Sequence, residues 1–461
     1  MIKIILSTLV GVLLLVIAIV VFYWRDIKYD PSGQDFLIYF GLIPVAVTLF
    51  ILTPMFIKKI YEYRQEKKDQ QVAEAEQRSE EQAQGEKQVE EKIEWTELKV
   101  FAVSSLSALA ENEAHFDLLQ EAVSPELDPQ LLNAFGLPIL SFRIKDIEDS
   151  QEDEDLDLSN RQKRITTLIR QQLEQNSETL YQIASHLKSS AMFYDTKLAQ
   201  EYRMHPAWID PNSEYDEAVE QTAESVSRLN CLGIHIILPE NLLHAWDEDY
   251  GSDTISQYLT ELGIIAQQFN VEYHYWGETT AYKDWIKLLK RIQTFDSEVA
   301  LLIAVDSEID QETIDDRTWM TEKYIPSEYV SSCCVSGSQV DVQNLSAIKY
   351  MRIILNANRA VKVLKDLKLS GVEQYEQEQP FVLVLDDPTE IKSLKKLKHN
   401  FDGTAIEAHH YLYSKNSLGH TQPLAQVFGF MLSLHIKDDL FGYVYTADHQ
   451  QTQVVIGTEF A

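Results

Sequence analysis

LGIHIILPEN, Leu232 to Asn241, reads as a buried strand: Gly233 to Leu238 is an apolar run too short for a helix, and Pro239 ends it. Helical patterns follow at Thr254 to Phe269 and Tyr282 to Phe295, with a strand at Val299 to Val305 after them. Upstream, Leu98 to Val103 reads as a strand, the segment around His115, Phe116, Leu118, Leu119 and Val123 is amphipathic, and a second strand, Ile139 to Ile144, follows Pro138. Helical patterns run from Arg161 to Leu187 and Tyr215 to Leu229. The last third repeats the rhythm: a helix over Val342 to Leu367, the strand Phe381 to Leu385, a helix at Leu424 to Leu434, and strands at Leu440 to Tyr445 and Gln453 to Ile456. Strands spaced by helices predict an α/β core with mainly parallel pairing.

The amino-terminal region is of another kind. Apolar runs at Ile2 to Trp24 and Phe36 to Ile57 each reach the roughly 20 residues a helix needs to cross a hydrocarbon core, and predict a transmembrane hairpin over 1–60. The first run exceeds a ~7 to 15-residue signal core, and Phe22, Tyr23 and Trp24 fit an interfacial belt. Lys58, Lys59, Arg64, Lys67 and Lys68 follow the second run, whereas Arg25 and Lys28 between the runs face Asp26, Asp30 and Asp35. The positive-inside rule then places the amino terminus and the large carboxy-terminal part in the cytoplasm. Residues 61–94 shift to Glu, Gln, Lys and Ala, a polar stalk that is either a solvated helix or disordered. Residues 95–461 form the α/β region, divisible into halves at about 95–310 and 311–461.

With 72 acidic against 40 basic residues, the formal charge of −32 argues against a nucleic-acid partner. The acidic tract Asp146 to Asp157 reads as an exposed loop. Three cysteines, Cys231, Cys333 and Cys334, make no disulfide framework and agree with a reducing compartment.

Motifs for chemistry are sparse. FVLVLDD, Phe381 to Asp387, ends a strand in two carboxylates, but no phosphate-cradling GxxxxGK[ST] loop accompanies it, so Asp386 and Asp387 read as a strand-end turn. No GxSxG elbow is present. His409, His410 and His420 match no metal-ligand spacing, and Cys333 and Cys334, between Ser and Gly, read as an inert turn. No residue is assigned as catalytic, and no cofactor or metal is expected.

KNSLGHT, Lys415 to Thr421, then the Leu424 to Leu434 helix and FGYVYTADHQQTQVVI, Phe441 to Ile456, is similar to the Gly-His loop, helix and final strand pair of β-ketoacyl synthases, which have the thiolase-like fold. That resemblance implies that His420 would polarise an acyl carbonyl with Lys415 in support, with His409 or His410 loosely matching a second histidine. The family's nucleophilic cysteine is not recognisable, and Gln422 and Pro423 replace its small residues. The wider arrangement, with LPILSFRI (Leu137 to Ile144), LGIHIILPEN, LLIAVDSE (Leu301 to Glu308) and FVLVLDD behind the two apolar runs, resembles the bacterial type VI secretion lipase-adaptor family, a degenerate thiolase-like fold. It implies a non-enzymatic adaptor at the bacterial inner membrane, with a lipase effector and a secretion spike protein as partners. Two alternatives stay open: acyl transfer using His420, His410 and Cys334, and an anchored scaffold with no secretion role.

Overall fold

A computed structural model of the chain describes residues 94–121, 123–145, 147, 158–201, 228–317, 324–357, 359–414, 422–449 and 451–459, with Ile17, Val20, Phe22, Arg25 and Asp26 ahead of them. The expected hairpin, stalk, acidic tract and Tyr215 to Leu229 helix fall almost wholly outside these residues. Among the described residues, no helix is long and apolar enough to cross a membrane.

Lys92–Ala461 form one compact unit. Its elements are β1 (Glu94–Ser107), α1 (Ala114–Glu121), β2 (Glu126–Leu132), β3 (Pro138–Ser141), α2 (Asn160–Gln175), α3 (Ser177–Glu201), β4 (Cys231–Pro239), α4 (Glu248–Glu261) and β5 (Phe269–Trp276). There follow α5 (Ala281–Gln293), β6 (Glu298–Ser307), α6 (Gln311–Arg317), β7 (Glu328–Gly337), β8 (Lys349–Leu355), α7 (Ala360–Asp366) and β9 (Val382–Val384). The chain closes with α8 (Ile391–Phe401), β10 (Tyr411–Tyr413), α9 (Ala425–Ser433), β11 (Gly442–Tyr445) and β12 (Gln453–Gly457).

Ten strands form one sheet in the order β10-β9-β11-β12-β8-β1-β7-β6-β4-β5. The order is a duplication. In the first half the strands β1, β4, β5, β6 and β7 lie as third, second, fourth, fifth, first from the outer edge inward, and β8 to β12 repeat this in the second half. In each half the second strand pairs in parallel with the third and fourth, and the fifth is antiparallel to both its neighbours. The halves join where the amino-terminal part of β1 pairs antiparallel with β8, Glu94 opposite Leu355 and Val100 opposite Lys349.

Alternation along the strands sorts the core into layers. One sheet face in both halves packs on α5 and α9, joining Val335, Cys333 and Ile353 with Trp285, Phe428 and Phe430. The other face of the first half packs on α2, α3 and α4, and that of the second half on α7 and α8. Helices thus cover the outer face of each half of the sheet, and α5 and α9 pack against both halves on the inner face, a mixed α/β arrangement of the thiolase-like kind the sequence resemblance implied.

Several expectations need correction. Pairing is mixed rather than mainly parallel, with five antiparallel and four parallel strand pairs in the large sheet. Val342 to Leu367 is not one helix: Lys349–Leu355 within it is β8, whose residues are all buried or half-buried, and α7 begins only at Ala360. The strand at Ile139 to Ile144 is the short β3, paired with β2 in a separate two-stranded ribbon. The helix expected to reach Phe269 stops at Glu261, because Gly263 at φ +88° breaks it and β5 starts at Phe269. Cys333 and Cys334 lie in mid-strand of β7, every residue of which is buried, and not in a turn.

Candidate functional site

The central layer is where the Gly-His resemblance points, since the loop at 415–421 leads into α9. That loop, with Lys415 and His420, lies outside the described residues. The facing helix, α5, follows Gly277, Glu278, Thr279 and Thr280, so no thiol stands at its start. Its first turn instead puts bulk into the layer: Tyr282 and Trp285 are buried, Tyr282 packs 6.3 Å from Phe430 and 5.5 Å from His449, and Trp285 packs edge-on to Phe430 at 5.5 Å. Burial raises the Tyr282 phenol, and Asp386 adds to the effect. An aromatic wedge occupies the space between α5 and α9.

The residues singled out from sequence do not converge. Cys333 faces the central layer, while Cys334, one residue on, faces the opposite side of the sheet toward α2. Both are fully buried, and burial pushes the Cys334 thiol up to about 12 and Cys333 well above its ordinary value. His410 lies in the second half against Phe381 and serves the backbone: Nδ1 accepts from Glu407 N–H at 2.9 Å, and Nε2 lies 3.2 Å from the Gln377 carbonyl. His410 and Cys334 therefore belong to separate cores and do not form a base-nucleophile pair.

Asp386 and Asp387 act as strand-end groups. The Asp386 carboxylate accepts from Thr446 Oγ1 at 3.0 Å and Ala447 N at 2.6 Å, pinning the loop between β11 and β12, and Asp387 accepts from Thr389 N and Oγ1, both at 2.7 Å.

The β2–β3 ribbon, by contrast, displays apolar side chains. Leu131 and Ile139 face inward onto Ile309 and Ile314, whereas Leu127 and Leu140, directly opposite each other, face solvent. At the tip Phe135 is 87% exposed and Leu137 60%, and Leu127 at the other end of the ribbon is 63% exposed. The tip is held rather than loose. Asn133 Oδ1 accepts from Phe135 N at 2.9 Å and Leu137 N at 3.0 Å, its backbone N–H donates to Leu137 O, and Gly136 supplies φ +71°. Such a turn presents Phe135 in one geometry at little conformational cost on binding.

The ribbon's root is tied by charge. Arg143 Nε donates to Asp128 Oδ2 at 2.7 Å, and Ser141 Oγ donates to the same oxygen at 2.9 Å. Burial works against the Asp128 charge, yet the bonds from Arg143, Gln130 and Ser141 outweigh it and hold the carboxyl below its ordinary value. Just beyond, buried Glu328 accepts from Arg164, Ile144 N and Ser307 Oγ, and Gln311 of α6 brackets Leu132 with two 2.9 Å bonds. A cavity of about 170 Å³ beside the ribbon is lined by Leu109, Val123, Leu127, Pro129 and Phe142 among others. Sequence reasoning saw Pro138 and a strand here but not the display, because an exposed Leu or Phe looks like a core residue until its surroundings are known.

No protein-family model matches the chain, and no curated protein sequence does. Among solved structures it is similar to a ketosynthase–chain length factor, PfaC, at 10% identity and TM-score 0.41, over 80% of this chain; the chain spans 44% of that protein's length. It is similar to the ketosynthase of module 6 of the bacillaene synthase of Bacillus subtilis 168, at 9% identity and TM-score 0.43, over 79% of this chain and 72% of that one. The peroxisomal thiolase of Saccharomyces cerevisiae matches at 9% identity and TM-score 0.31, over 50% of this chain and 85% of that one. Likeness at this level transfers no residue role.

Proposed function

We propose that this chain is a partner-binding scaffold on a thiolase-like frame, and that its partner is a lipase-type effector which it holds for a type VI secretion spike. The observation that carries the binding role is the ribbon, where a hydrogen-bonded turn keeps Phe135 and Leu137 in solvent at the tip and the opposed Leu127 and Leu140 are exposed further down. Apolar groups held out in this way are the ingredients of an interface centre. The acidic tract starting at Asp146 follows the ribbon in sequence, so the partner that fits has an apolar patch with a basic rim. The class of partner comes from the sequence resemblance of Trp95 to Ile456, and the two amino-terminal apolar runs would keep the scaffold at the inner membrane.

The test is co-purification from the native host, using the full chain and a Phe135→Asp/Leu137→Asp variant as baits. Wild type is expected to capture a lipase together with a spike component, and the variant to lose at least about 2 kcal/mol of affinity, roughly thirtyfold. Raised salt weakens capture if the rim is electrostatic. Equal capture by both baits refutes the ribbon as the docking surface, and acyl carrier protein in place of a lipase refutes the adaptor reading.

A further inference from the structure

Away from the ribbon, β4 and its edge neighbour β5 bring together three side chains that lie far apart in sequence. The register sets His235 opposite Glu272, with His274 two residues further along the same face of β5. His235 Nδ1 stands 3.1 Å from His274 Nε2 and 3.5 Å from Glu272 Oε2, and His274 Nε2 stands 3.8 Å from Glu272 Oε1. Ligands about 2.0–2.1 Å from a tetrahedral ion stand about 3.3–3.4 Å from one another. The two imidazole nitrogens and a carboxylate oxygen, all within 4.8 Å of one another, are gathered closely enough to surround one ion. From them the geometry points to a transition-metal site, with His235, His274 and Glu272 as ligands to Zn²⁺ and water in the fourth position.

Two further features fit a metal rather than a bare histidine pair. The first lies behind His235. Its other nitrogen, Nε2, is buried and has no hydrogen-bond partner among the described residues, and Glu298 of β6 reaches the same space. A Cβ on Gly233 would lie 3.2 Å from His235 Nε2 and 2.7 Å from Glu298 Oε1. The glycine thus leaves one open space next to both His235 Nε2 and the Glu298 carboxylate, into which the carboxylate can turn once the histidine ligates, and a carboxylate bonded behind a ligating histidine fixes its tautomer and raises its basicity. The second is Arg291 of α5, which donates to Glu272 Oε1 at 3.1 Å and Oε2 at 2.7 Å. It fixes the carboxylate plane, while each oxygen keeps a second lone pair toward the imidazoles. His235 is closed off, whereas the Glu272 side chain is 39% exposed, so an ion has a way in and water has access to the open position. The site is absent from any sequence motif because its ligands meet only through strand register.

The test uses the untagged full chain, stripped with chelator and titrated with Co²⁺ and then Zn²⁺. One ion per chain is expected, with the visible absorption of tetrahedral Co²⁺ displaced by Zn²⁺ and a rise in Tm on Zn²⁺ addition. His274→Ala and Glu272→Gln, both at solvent-reached positions, should abolish the tetrahedral signature, and Glu298→Gln should weaken binding by about tenfold or more. Circular dichroism and the metal-free Tm establish that each variant is folded; should Glu298→Gln fail to fold, the other two decide. Wild type that binds no stoichiometric ion overturns the proposal, as does unchanged binding in folded His274→Ala and Glu272→Gln.

Discussion

The cysteines offer a direct way to separate a scaffold from an acyl-transfer enzyme, because thioester chemistry needs an accessible thiolate. Cys334 has two routes to a thiol reagent. In place, its thiol is pushed from an ordinary 9.0 to about 12 by burial, which leaves about one thousandth of the usual thiolate at a given pH. The side chain also has no exposed surface for a reagent to approach. The alternative is opening of the sheet. Cys334 lies in β7, paired on both edges with β1 and β6, so exposing it means undoing the core of the first half. At a cost of at least about 5 kcal/mol, the open population is below roughly one in several thousand. By either route Cys333 and Cys334 should react about a thousandfold more slowly than a free thiol. Cys231, half-exposed at the start of β4 and raised by burial and by Glu298, should be the fast site. The assay is timed alkylation of the native full chain with peptide-level mass read-out, repeated in denaturant, where all three should label alike. Modification of Cys334 in the native chain within tenfold of the Cys231 rate would refute this reasoning and reopen the acyl-transfer reading.

Other expectations concern the ribbon and its anchorage. Asn133→Ala removes the acceptor for Phe135 N and Leu137 N, and should weaken partner capture with little change in Tm, read by comparing binding and melting on the same sample. Glu328→Ala removes the carboxylate that neutralises the buried Arg164 guanidinium and should cost about 3–5 kcal/mol in denaturant unfolding, whereas Arg164→Met/Glu328→Leu should come within about 1 kcal/mol of wild type; equal losses would mean the pair does more than neutralise itself. The Asp128 carboxyl is held low when folded, so its anchoring of Arg143 is present above its unfolded value of 3.8 and is lost as pH falls through its lower folded value. Protection from hydrogen exchange at residues 126–143, relative to the intrinsic rate at each pH, should therefore persist at pH 3.8 and fall only below it in wild type, and Asp128→Asn should show the lowered protection already at neutral pH.

The sequence disclosed those parts of the fold whose side chains all face apolar neighbours. β4, β6 and β9 are continuous apolar runs because both their faces are covered, and their positions were legible to within a few residues. β7 was not, since Ser331, Ser332 and Ser336 interrupt it; Ser332 donates to Gln172 Oε1 at 2.7 Å and Ser331 contacts Met431 Sδ, so polar groups are satisfied inside the core where a pattern reader expects a turn. β5 escaped because it is an edge strand whose Asn270, Glu272 and His274 break the apolar signal. The same edge position gives the histidine and carboxylate cluster its solvent path: Glu272 and His274 lie on the open-sided β5, next to His235 on the interior strand β4.

Duplication explains where the proposed binding surface was free to arise. In the second half β8 passes to α7 in a few residues, Leu355 to Ala360, and nothing is added. In the first half the equivalent passage, from Ser107 at the end of β1 to Asn160 at the start of α2, carries α1 and the whole β2–β3 ribbon. The insertion is tied to the symmetric frame at its root through Glu328 at the start of β7 and near its tip through Gln311 on α6, and leaves the repeat's strand order unaltered. The ribbon's inner residues Leu131 and Ile139 contribute burial against Ile309 and Ile314, but its exposed tip does not, since Phe135 in water buries no apolar surface. Its presence on one half alone, held by an internal hydrogen-bonded turn, fits selection for contact with another molecule while Tyr282, Trp285 and Phe430 keep the space between α5 and α9 filled.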